Sequence, residues 1–175
     1  MTEVIKKTGI NFGIITGVVM IIITTVMYII DISLFVNIWL GISLFLINLV
    51  IGIIAVAKAK KGLGGFITFK EAFTVFFIVM AIGSLFNVVF MYVLFNIIDP
   101  GAQDTIKEQL ITKSVTWMRS MGLKTEDIRK SVDEMKATES FSLVSLIKSY
   151  FSGLLMYAII GLIVAIALRN KTKAE

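Results

Sequence analysis

Neither cysteine nor histidine occurs among the 175 residues. Their absence removes disulfides, thiol nucleophiles, thiolate and imidazole metal sites, and the commonest general base. Charge is scarce too: 17% of residues are charged, 57% are hydrophobic, and mean hydropathy is +0.93. Soluble domains average about 45–50% apolar residues, and one this short has too little interior to hide more. Lipid is the solvent that fits. Within the apolar stretches there is no Asp, Glu or Arg. Proton-coupled and charge-driven transporters keep such groups in the membrane, and an intramembrane enzyme needs a base beside its nucleophile. We therefore assign no catalytic, cofactor-binding or metal-ligating residue, and expect a protein that is not an enzyme.

What the chain does have is four apolar runs, at 10–30, 38–57, 72–98 and 149–168. Each reaches the ~20 residues that cross the hydrocarbon layer as a helix. Helices are required because an unpaired backbone group in lipid is costly. The first run is too long for a signal-peptide core and no small-residue cleavage site follows it. The expected fold is an all-α membrane protein, one domain over 1–175, with four transmembrane helices.

Basic residues set the expected orientation. Lys6 and Lys7 precede the first span, Lys58, Lys60, Lys61 and Lys70 separate the second and third, and Arg169, Lys171 and Lys173 follow the fourth. The connection after the first span carries Asp31 and no basic residue. Both termini then face the cytoplasm. Segment 99–142 has seven basic residues but eight acidic ones, so it suits the outer side despite its lysines. Tyr28, Trp39, Tyr92 and Tyr150 fall near that outer boundary, where amphipathic rings sit. The net charge of +5 is thus explained by the membrane, and no nucleic-acid partner is expected.

The outer segment is patterned. Asp99 and Pro100 open a helix with a capping carboxylate and a proline. Ile106, Leu110, Trp117, Met118 and Met121 follow at helical spacing, and Gly122 stops the run. Thr125 opens a second helix with the stripe Ile128, Val132 and Met135, supported by Glu126–Lys130 and Arg129–Asp133 pairs. The result is an extracytoplasmic amphipathic helical hairpin between spans three and four. Its stripes have three available neighbours: each other and the bundle top, the bilayer surface, or another protein. Its charges are too balanced for a strong anionic-lipid patch.

Gly9, Gly13 and Gly17 make a small-residue stripe on the first helix, and Ser145, Ser149, Gly153, Gly161 and Ala165 a similar row on the fourth. Such stripes let another helix approach closely, either within the chain or from a second copy. Thr68 and Glu71 fit a capping box that opens the third span. The stretch 58–66 (KAKKGLGGF) is a basic, glycine-rich turn and lacks the ordered phosphate-loop pattern. Lys148 can snorkel to the interface. Asn48 and Asn87 are the deepest amides, joined by Thr24, Thr25 and Ser84; amides of this kind hold helices together more often than they line a pathway.

Three stretches carry a family resemblance: 65–73 (GFITFKEAF), the tyrosine-and-asparagine run closing on 98–100 (IDP), and 121–128 (MGLKTEDI). Together they resemble small four-span bacterial membrane proteins of unknown function. The resemblance implies a bacterial cytoplasmic (inner) membrane location and a four-helix fold, and it supplies no substrate, cofactor or site residue. The leading expectation is a non-enzymatic accessory or interaction protein whose hairpin meets a partner or the membrane. The alternative is a small channel or carrier component built around Asn48 and Asn87, as an oligomer. Expected partners are the lipid bilayer and either a second copy or an unidentified membrane protein.

Overall fold

The structure is a computed structural model and describes residues 2–170. Lys171 and Lys173, counted above among the basic residues, lie outside the described residues. Six α-helices follow one another: α1 (Glu3–Ile30), α2 (Ile38–Gly62), α3 (Phe69–Val93), α4 (Gly101–Ser120), α5 (Thr125–Ala137) and α6 (Leu143–Leu168). A 3₁₀ turn (Ile32–Val36) joins α1 to α2, and a π-helical turn (Leu94–Ile98) prolongs α3. Among the described residues four helices are long and apolar enough to cross a membrane. The protein is a multi-pass membrane protein.

Local sequence sets the helix ends. The Asn37 side chain accepts from the amides of Trp39 and Leu40 at 3.0 and 3.4 Å and opens α2. Thr68 and Glu71 form the expected capping box, with Glu71 Oε2 accepting from the Thr68 amide at 2.9 Å and Thr68 Oγ1 from the Glu71 amide at 3.3 Å. Ser142 caps α6. The glycine-rich turn after α2 needs Gly64 and Gly65 at φ +78° and +90°, where a side chain would be strained. All four spanning helices overrun the apolar stretches read from sequence, because polar ends such as those with Glu3, Lys60 and Lys70 continue the helix beyond the apolar run.

Helix α3 is the hub. Helices α1, α2 and α6 pack around it, α6 barely touches α2, and α6 and α1 make no contact among the described residues. The glycine stripe explains the closest of these contacts. A Cβ on Gly9, Gly13 or Gly17 would fall 2.9, 2.7 or 2.6 Å from Ile78, Ile82 or Phe86. The stripe therefore accepts a ridge of α3 from the same chain. Gly161 likewise makes room for Phe76, whose ring would be 2.9 Å from an added Cβ. Gly153 has no such neighbour within the chain: nothing lies within 4 Å of its Cβ position, so its face is open.

The two ends of the bundle differ. At the end bearing the α2–α3 turn, Ile5, Val56, Ile67, Phe76, Val79 and Ala165 form a tight apolar core. There Asn170 and Ile67 exchange two hydrogen bonds, each 3.0 Å, and Lys60 donates to the carbonyl of Leu168 at 3.1 Å. At the opposite end a smaller cluster of Leu94, Phe95, Ala102 and Ile106 is closed over by Phe35, Phe90 and Phe141. The outward faces are apolar throughout, with Ile22, Val50, Val89, Leu155 and Ile163 all exposed. In water such a surface would aggregate; in lipid it is solvated.

Candidate functional site

Two regions gather the polar side chains. The first lies halfway along the bundle, between the two apolar clusters. Met20 of α1, Asn48 of α2, Ser84 and Asn87 of α3, and Tyr157 of α6 surround a pocket of about 110 Å³. Asn48 is buried and donates to the Leu44 carbonyl at 2.9 Å and to Met20 Sδ at 3.3 Å. Asn87 donates to Thr24 Oγ1 at 3.3 Å, and Ser84 to the Met80 carbonyl at 2.6 Å. Sequence placed both asparagines at mid-depth; the structure brings them to one pocket. Each amide ties a helix and also lines this pocket. Thr25 stays apart, donating to the carbonyl of Ile21 at 2.8 Å. Amides, hydroxyls and a phenol can solvate water or a small neutral solute, and the pocket lining carries no charged side chain.

The second region is the helical cap formed by α4 and α5. Its foot is tied down by residues far apart in sequence. Tyr28 donates to Asp99 Oδ2 at 2.7 Å, while Asp99 Oδ1 accepts from the Ala102 amide at 3.2 Å and so opens α4. Asn96 bridges the end of α3 to the carbonyl of Phe141, 2.9 Å away, just before α6. Gln103 donates to the carbonyl of Phe95, and Lys107 to that of Lys136 at the end of α5. Lys113 reaches the carbonyl of Val36 at 3.3 Å. A polar recess of about 450 Å³ lies under the foot, lined by Asn96, Gln103, Asp104, Lys107, Glu139 and Ser142. In the 3₁₀ turn, the hydroxyl and amide of Ser33 hold the Asp31 carboxyl below the usual carboxylate range, with a smaller pull from Lys113.

The cap stripes divide into covered and uncovered residues. Ile106, Met118 and Ile128 are buried, and Val132 and Met135 are half-buried where α5 lies on α4. Leu110 and Trp117 are exposed, and Met121 beyond them is as well. The hairpin thus covers itself and part of the bundle, leaving one edge of α4 open. Gly122, at φ +74°, lets the Leu123 amide bond the carbonyl of Met118 and ends α4 as expected. Glu126 and Lys130 pair at 3.9 Å on the surface; Arg129 and Asp133 do not come within bridging distance. Tyr150 departs from the expected boundary position, since its hydroxyl turns inward to the carbonyl of Ala81 at 3.2 Å. Lys148 is exposed.

The family described as "Protein of unknown function (DUF4199)" matches residues 11–170. The chain belongs to this family. No curated protein matches it, and no solved structure does. The family match covers α1 from residue 11 onward, the other three membrane helices and the cap, so both regions lie within it. It assigns neither of them a role.

The residues that sequence reading missed are the ones tying the cap down. Asp99 was legible as a cap residue, whereas its partner Tyr28 lies in another helix. Asn96 and Gln103 gave no local signal, because each bonds a backbone carbonyl that any residue would supply.

Proposed function

We propose that this protein is a non-enzymatic accessory or interaction protein of a bacterial cytoplasmic membrane, holding its helical cap outside to engage another membrane component. The carrying observation is the asymmetry of the cap, whose foot is locked by Tyr28–Asp99 and Asn96–Phe141 while the edge with Leu110 and Trp117 is open. A rigid foot with a free apolar edge suits recognition. Lys6, Lys7, Lys58, Lys60, Lys61, Lys70 and Arg169 all lie at the end opposite the cap, which supports cytoplasmic termini. Asp and Glu sit at helix ends or in the cap and turns, away from the mid-membrane hydroxyls, which supports a role without acid–base chemistry.

A photocrosslinking amino acid at Leu110 tests this reading in native membranes. A discrete protein adduct is the expected result. Diffuse or absent adducts at Leu110, with the protein folded and inserted, would overturn it.

The mid-membrane pocket favours a second reading, as a component of a small channel or carrier. That reading requires the pocket to join both membrane faces in some oligomer. Flux of a small neutral solute through proteoliposomes should then fall in Asn48→Leu and Asn87→Leu; equal flux in all three proteins removes it.

A further inference from the structure

The open edge of the cap overhangs the rim of the bundle. Helix α4 begins at the end of α3, and at Lys113 it reaches Val36, immediately before α2. Gly101 and Lys113 are about 18 Å apart along a helix, so α4 lies across the bundle end from α3 to α2. Helix α2 forms the rim there, with Ile38 and Trp39 being 73% and 76% exposed. The remaining turns of α4 therefore project about 10 Å beyond the rim. At that level the surroundings of a membrane protein are lipid headgroups.

The direction of the side chains agrees. Ile106 is buried against the bundle end, and at 100° per residue Trp117 points within about 20° of the same direction, with Leu110 and Met121 close by. One stripe is thus covered where α4 crosses the protein and uncovered where it overhangs. Trp117 and Met121 are 63% and 59% exposed on the face that looks toward the bilayer.

Charge separates along the cap in the same sense. From position 109 to 124 the chain carries Lys113, Arg119 and Lys124 and no acidic residue. Glu126 and Asp127 open α5 just beyond this run, but Arg129 and Lys130 follow within a turn, so the tip from 113 to 130 carries five basic residues against two acidic ones. Tryptophan beside basic groups is the composition that binds the boundary of an anionic lipid surface.

We propose that the projecting end of the cap, through Trp117, Met121 and the basic groups of Lys113 and Lys124, is seated in the headgroup layer of its own membrane face and prefers anionic phospholipid. This rests on reading the cap as an interaction module, and names lipid as one of its partners.

The chain has two tryptophans, so Trp39→Phe leaves Trp117 as the sole reporter. The full chain is reconstituted in vesicles of phosphatidylcholine with an equal amount of phosphatidylglycerol, one lipid at a time brominated near its headgroup. Lipid bromine should quench Trp117 about twofold, as for a ring at the interface, and brominated phosphatidylglycerol should quench more than brominated phosphatidylcholine. The double variant K113Q/K124Q should lose that preference by about tenfold. A spin label on Met121→Cys, free of native-cysteine background, should report the same depth if Trp39→Phe folds poorly. Emission open to acrylamide and untouched by bromolipid would overturn the proposal, and an unchanged preference in K113Q/K124Q would overturn its anionic part. Lipid quenching without a protein adduct at Leu110 keeps this inference and removes the protein-partner reading; the reverse pattern does the opposite.

Discussion

Single glycines on two helices should behave in opposite ways. At Gly17 an added Cβ meets Phe86 at 2.6 Å, so Gly17→Leu must push α1 from α3 at a cost of about 1–3 kcal/mol. At Gly153 the same position is open, and Gly153→Ala should hold or raise the melting temperature through its better helix propensity. Thermal melting of the purified protein in detergent compares the two; equal losses would mean that α6 has a neighbour from a second copy. Asp31 gives a pH-dependent residue-scale test. Its carboxyl is held low in the folded chain, so its contribution is complete above about pH 3.9 and fades as pH falls through the lower folded value. The protection factor at Ser33, taken relative to the intrinsic exchange rate at each pH, should therefore fall on acidification below about pH 4, and Asp31→Ala should show the low protection at neutral pH. Tyr28→Phe removes the hydroxyl that holds Asp99, and exchange at the start of α4 should rise while the spanning helices keep their protection.

At the scale of elements, α5 depends on α4. It has 13 residues, near the length at which an isolated helix is marginal in water, and Ile128 is its buried contact. Ile128→Ala should weaken α5 by about 2–4 kcal/mol, so its amides exchange fast while α4 stays protected; joint loss of both helices would show that the cap unfolds as one unit. The elements themselves were legible because their signals are local. Apolar runs gave the spans, Thr68 with Glu71 gave the start of α3, and Gly122 gave the turn of the cap. Their mutual placement was not legible. Tyr150 carries the same belt-like sequence position whether its hydroxyl faces headgroups or Ala81, and Gly153 looks like Gly17 until the neighbouring helix is known. Segregated charge was present in the sequence, yet a count over the whole of 99–142 averaged it away. Its meaning needed the direction of α4 across the rim.

For the whole molecule, the proposed orientation is open to a direct check. Single cysteines at Ser120 and Lys61 should label from opposite faces of the membrane; labelling from one face would reject it. Lys61 is the better site beside Gly62, where an added Cβ would press on Val4 at 2.9 Å. The hub arrangement also bears on how the chain assembles. Helices α1, α2 and α3 already touch one another, whereas α6 adds to α3 and hardly to the rest. A three-helix intermediate can thus be complete before α6 is inserted. The paired bonds between Asn170 and Ile67, with Lys60 on the carbonyl of Leu168, then act as a register check on that late arrival. Slipping α6 by one residue would break all three bonds and swing Gly161 away from Phe76, so misthreaded chains would be held apart from the finished bundle at their last step.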